Sequence, residues 1–115
     1  MKKKATGQRG SWFAQVDGEL LPCVHKHWQK GLAHHDPFER HEGQAKEAKI
    51  QELVEAVRHQ SRVIMTEDKP TYDAQRRVVA FQRTSYVAVY RVEDVTYTPD
   101  DGLRFRLAER LIDLI

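Results

Sequence analysis

The stretch VEDVTYTPDDGLRFRL, Val92–Leu107, decides the fold. Its centre, TPDDG, brings a proline, two aspartates and a glycine together in the order that favours a tight hairpin. Beyond it, Leu103, Phe105 and Leu107 alternate with Arg104 and Arg106, so one face of a strand is apolar and the other charged. Before it, in YVAVYRVEDVTY, the alternation changes phase between Arg91 and Asp94. Such a change predicts a bend or bulge that lets one strand serve two sides of a curved sheet.

Working outward from this hairpin, RVIMTE reads as a strand, DKP as a turn and RRVVAFQR as the strand leading into the long bent one. At the other end, RLIDLI is either a short helix or a last strand, because periodicity over so few residues does not choose. Upstream, QAKEAKIQELVEAVRHQ places Ile50, Leu53, Val54 and Val57 at helical spacing, which predicts one covering helix over about 44–60. Near the start, SWFAQV, a turn at Asp17-Gly18 and LLPCVHKHW form a first hairpin. Pro22 cannot donate to a ladder, so its strand is expected at an edge or with the proline at a bulge. Residues 29–43, rich in Gly, His, Asp and Pro without a period, read as a long loop. The expected class is α+β: a small curled, mainly antiparallel sheet or partly open barrel with one main helix.

The chain has 115 residues, 40% hydrophobic and 31% charged, which suits one domain with one modest core. The expected division is a flexible basic tail over 1–10 and a single α+β domain over 11–115. Net charge is +2, with the basic excess at the N-terminus, where MKKK reads as a solvated tail that could touch phosphate. Apolar runs are too short to span a bilayer and no hydrophobic segment follows the lysines, so the expected compartment is the cytoplasm, without a membrane. The single cysteine, Cys23, excludes an internal disulfide and fits a reducing compartment.

Five of the six histidines fall between Cys23 and Gln44. On a strand, Cys23, His25 and His27 would share one face, presenting a sulfur and two imidazoles. With His41 or another ligand from the following loop they could hold zinc or iron, which defines a metal-dependent enzyme as one alternative. The competing reading buries Leu20, Val24 and Trp28 and leaves the histidines on a solvated face, with no cofactor. A Cys23 nucleophile beside a histidine lacks a third member, and no phosphate-binding glycine loop, His-Glu-x-x-His helix or Gly-x-Ser-x-Gly elbow is present.

Aromatic and basic residues form a second constellation. Trp12, Trp28 and Tyr72, with Arg83, Arg104 and Arg106, are the candidate binding residues, because base stacking and phosphate contact require these side chains on a curved sheet. A net charge of +2 is too small for a non-specific duplex binder, so any nucleic acid would occupy a pocket or a narrow strip.

RVIMTEDKP followed by RVVAFQRTSYVAVYRVEDVTYT, with a tryptophan near the start and a helix before the central strands, resembles the core of PUA-like barrels, the superfamily of EVE, ASCH and YTH domains. The resemblance is one of arrangement, without the ASCH signature or a placeable YTH cage. It implies a role with RNA, DNA or modified bases. The expectation is a small binding module for nucleic acid or a modified nucleobase. A protein-interaction module, with a homodimer through an edge strand, is the further alternative.

Overall fold

The apolar run VIM at Val63–Met65 needs cover on both faces, and the chain supplies a different cover for each. The computed structural model describes residues 2–7, 12–38 and 44–114, without the side chains of 44–46. Among them, eight strands form one open mixed sheet: β1 (Thr6–Gly7), β2 (Phe13–Val16), β3 (Glu19–His25), β4 (Gln29–Lys30), β5 (Ala33–Asp36), β6 (Arg62–Tyr72), β7 (Val78–Thr98) and β8 (Gly102–Asp113). Their order across the sheet is β1-β2-β3-β6-β7-β8-β5-β4. The helix α1 (Gln44–Gln60) precedes β6, and β3 and β6 are parallel neighbours; the other strand pairs are antiparallel.

Helix α1 lays Ile50, Leu53, Val54 and Val57 against Val24, Val63, Met65, Leu103, Phe105 and Leu107. On the opposite face Ile64 and Val89 pack with Leu21 and Cys23 of β3, Ala14 and Val16 of β2, and Leu114. The hairpin alternation is as expected: Leu103, Phe105 and Leu107 are buried, and Arg104 and Arg106 are exposed. The change of phase before it is a bulge. Pairing between β7 and β8 shifts between Glu93 and Thr96, and Asp94 takes a left-handed φ of 57°. RLID continues β8 as strand.

Several expectations need correction. The turn is not at DKP: β6 runs on to Tyr72, and Asp73 closes the turn by accepting the backbone N–H groups of Gln75 and Arg77 on its Oδ1. Residues 29–36 are not loop, because β4 and β5 make a hairpin that pairs with β8. Proline 22 lies neither on an edge strand nor at a bulge. Residues Glu19–Pro22 pair with β2 and Cys23–His25 pair with β6, so the residue lacking an N–H sits where the strand changes partner. Leu20 is half exposed, and its carbonyl accepts from the Gln60 side chain at the end of α1. Within the expected tail, Lys3 bridges to Leu114, Ala5 is buried and β1 pairs with β2.

Candidate functional site

Strand β3 loses β6 as a partner after His25, and a 3-10 turn at Lys26–Trp28 carries His27 and Trp28 across toward β7. From there β6 and β7 continue as a two-stranded ribbon to the Asp73–Arg77 turn. Two irregularities in their pairing fall at Met65/Thr66 and Glu67/Asp68, leaving Val87 and Thr84 of β7 without partners. The second matters for side-chain direction. In a regular strand Arg83 and Tyr86 would face opposite sides; the extra residue brings them to one face, with the Arg83 guanidinium carbon 5.3 Å from the centre of the Tyr86 ring.

The same face carries a buried carboxylate. The Asp68 side chain is only 2% exposed. Its Oδ1 accepts from the Thr66 hydroxyl and lies 3.0 Å from His25 Nδ1, while its Oδ2 lies 3.8 Å from Arg83 Nε. The His25 contact is close but poorly aligned as a hydrogen bond. Burial alone would raise the Asp68 pKa; the close polar contacts of His25 and Thr66, with the neighbouring Arg83 charge, outweigh it and hold the carboxyl below the ordinary aspartate range. Behind it, Cys23 is buried, and loss of hydration pushes its thiol up to about 11, so it is neutral and a poor nucleophile.

Aromatic rings surround this centre. His25 stacks on Phe81 with centroids 4.1 Å apart; His27 and Trp28 meet the same ring edge-on at 5.5 and 6.2 Å. Trp28 is partly exposed, and the ribbon beyond presents Lys69, Tyr72, Arg76 and Arg77 to solvent.

No protein-family model, curated protein or solved structure matches this chain. The reading of the site therefore stands on its geometry.

Of the residues singled out from the sequence, Trp28, Arg83, His25 and His27 come together here, and Tyr72 lies farther out at the last pair before the ribbon turn. Trp12 does not join them: it stacks on Phe38, centroids 6.4 Å apart, against the helix-side core. Arg104 and Arg106 lie at the other end of β7, where Arg104 pairs with Asp101 at 2.6 Å and Arg106 with Glu93 and Asp94. Beyond His25 and His27, which meet on Phe81, the histidines lie elsewhere. His34 is buried on Phe105, and His35 Nε2 lies 2.6 Å from the Asp101 carbonyl oxygen at the β7–β8 turn. His41 lies outside the described residues. Cys23 faces the core, and among the described residues no three His, Cys, Asp or Glu side chains gather in a way that could hold a metal ion.

Sequence reasoning missed Asp68, Thr66 and Phe81. A signal was there for the first two: Thr66 and Asp68 follow VIM at strand spacing, so polar groups extend a face that is buried.

Proposed function

We propose that the face around Asp68 binds single-stranded nucleic acid. The observation carrying this reading is the gathering of Trp28, Phe81 and His27 with Arg83 around one buried carboxylate, where the ribbon leaves the sheet. Partly exposed rings offer stacking surface, and a base stacked on an aromatic side chain contributes about 1–3 kcal/mol. Asp68 holds His25 and Arg83 in place, which reduces the ordering cost of binding. Arg76 and Arg77 carry positive charge at the ribbon turn, although the Arg77 Nε is 3.1 Å from Asp73. The strip is narrow, in keeping with the small net charge.

Self-association through an edge strand has less behind it. Along the ribbon, Pro70 and the bulges in β7 are features that blunt edges.

The test is anisotropy of short labelled single-stranded RNA and DNA at low salt. Arg83→Ala should weaken binding about tenfold or more, the usual range for a charge-assisted contact. The double change of Arg104 and Arg106 to Ala should leave it within about twofold, since both are spent on acidic neighbours. No binding by the folded protein, or equal losses from the two sets, contradicts the assignment.

A further inference from the structure

We infer that His25, oriented by Asp68, is the general base of a site that cleaves RNA, with His27 as its general acid; the inference rests on the nucleic-acid reading and deepens it. A carboxylate against one imidazole nitrogen fixes the tautomer and direction of the ring and leaves the other nitrogen for proton transfer. Here the Asp68 side chain is withdrawn from solvent at 2% exposure, and its Oδ1 lies 3.0 Å from His25 Nδ1. Held below the ordinary aspartate range, Asp68 is an acceptor only, so in the neutral ring the hydrogen belongs on Nδ1 and the lone pair on Nε2. Nδ1 is buried while the His25 side chain is 20% exposed, so the ring edge bearing Nε2 is the one turned outward. Stacking on Phe81, centroids 4.1 Å apart, holds the plane of the same ring. The imperfect alignment at Nδ1 is common in such pairs before substrate tightens them.

The 3-10 turn supplies the second imidazole. It brings His27 edge-on to Phe81 at 5.5 Å, so two imidazoles lie against one ring, the anchored one half-buried and the other exposed. The buried Cys23 thiol offers no nucleophile beside them. A base and an acid without a nucleophile of their own suit RNA, whose 2′-hydroxyl already stands next to the phosphorus it can attack. His25 Nε2 takes the 2′-hydroxyl proton, O2′ bonds to phosphorus, the P–O5′ bond breaks, and the departing O5′ receives a proton from His27. The products are a 2′,3′-cyclic phosphate and a 5′-hydroxyl end, and proton exchange with water restores both histidines. Nothing is oxidised or reduced and no co-reactant is consumed. DNA lacks the attacking hydroxyl and is not cut.

The test is single-turnover cleavage of a short single-stranded RNA at saturating protein with a chelator present, so that lost affinity and stray metal do not enter the rate. The wild type should release a 2′,3′-cyclic phosphate and leave the matching DNA intact. His25→Asn, which keeps an amide toward Asp68 and removes Nε2, and His27→Gln should each slow cleavage about hundredfold or more. A substrate with sulfur in place of the bridging O5′, whose leaving group needs no proton, should restore the rate of His27→Gln and not that of His25→Asn. Asp68 is a positioning residue: Asp68→Asn should slow cleavage alone but add little in the His25→Asn background, whereas a change acting only on the fold would add in full. Thermal melts confirm that each variant is folded, and His25→Gln replaces His25→Asn if the latter is not. Wild-type protein that binds RNA and leaves it intact, cleavage that survives loss of His25, or equal rescue of both variants by sulfur overturns the inference while leaving the nucleic-acid reading standing. Failure to bind RNA or DNA overturns both.

Discussion

The two ends of β7 treat charge in opposite ways. At the β8 end Arg91, Arg104 and Arg106 pair with Glu93, Asp101 and Glu109, along and across the strands, through largely solvent-facing side chains. At the β6 end a single carboxylate, Asp68, is taken out of water and surrounded by Thr66, His25 and Arg83. Exposed pairs of the first kind contribute about 0–1 kcal/mol each and are exchanged at little cost. A buried charge of the second kind is expensive to leave unpartnered, so its neighbours are fixed by it. The same long strand thus has a structural end and an end that holds basic and aromatic groups in one geometry.

Substitutions at the two ends should separate accordingly. The largest expected effect is at the structural end: Phe105→Ala, in the helix-side core, should cost about 3–5 kcal/mol in denaturant melts. Gly102→Ala in the same hairpin should cost about 1–3 kcal/mol, because Gly102 has a φ of +88° and a Cβ there would lie 2.1 Å from the Asp36 carbonyl oxygen. Arg104→Ala, on the exposed face between them, should stay within about 0.5 kcal/mol. Equal losses for Phe105→Ala and Arg104→Ala would refute the alternation on which the fold rests.

That alternation explains how much the sequence could reveal. The hairpin and α1 were legible because each buries one face, so a period of two or of roughly four survives in the order of residues. Strands β4 and β5 were not, since they are short and buried in part through His34 and Asp36, whose side chains look like loop composition. The position of the ribbon turn was obscured by Pro70, which suggested a break where the strand in fact continues past it. Of the site, Trp28 and Arg83 were visible as binding residues, and His25 and His27 as metal-ligand candidates. Their convergence was not, because it depends on a 3-10 turn after β3 and on an extra residue in β7, and neither leaves a periodic mark.

At the site end the stability effects should be smaller and dependent on pH. The Asp68 pKa is lowered on folding, so its contribution is complete above the unfolded aspartate value, near 4, and is lost as pH falls through the lower folded value. Asp68→Asn should therefore destabilise the protein by about 1–3 kcal/mol at neutral pH and by progressively less in acid. A constant difference between the two proteins from pH 7 to 2 would mean that the carboxylate charge is not what holds His25 and Arg83. Smallest in energy is the behaviour of Cys23. With a thiol pushed up to about 11 and buried, it should resist alkylation at pH 8 in the folded protein and react promptly in denaturant. Rapid labelling of the native state would place the thiol outside the core behind Asp68.

Tryptophan fluorescence probes the function of the site end most directly, since Trp12 and Trp28 lie in different regions. In a Trp12→Phe variant, Trp28 is the sole indole, and titration with a short single-stranded oligonucleotide at low salt should change its emission saturably, with Arg83→Ala weakening the titration. An unchanged Trp28 signal in the folded variant, or the same saturable change after Arg83→Ala, would contradict binding at the Asp68 face.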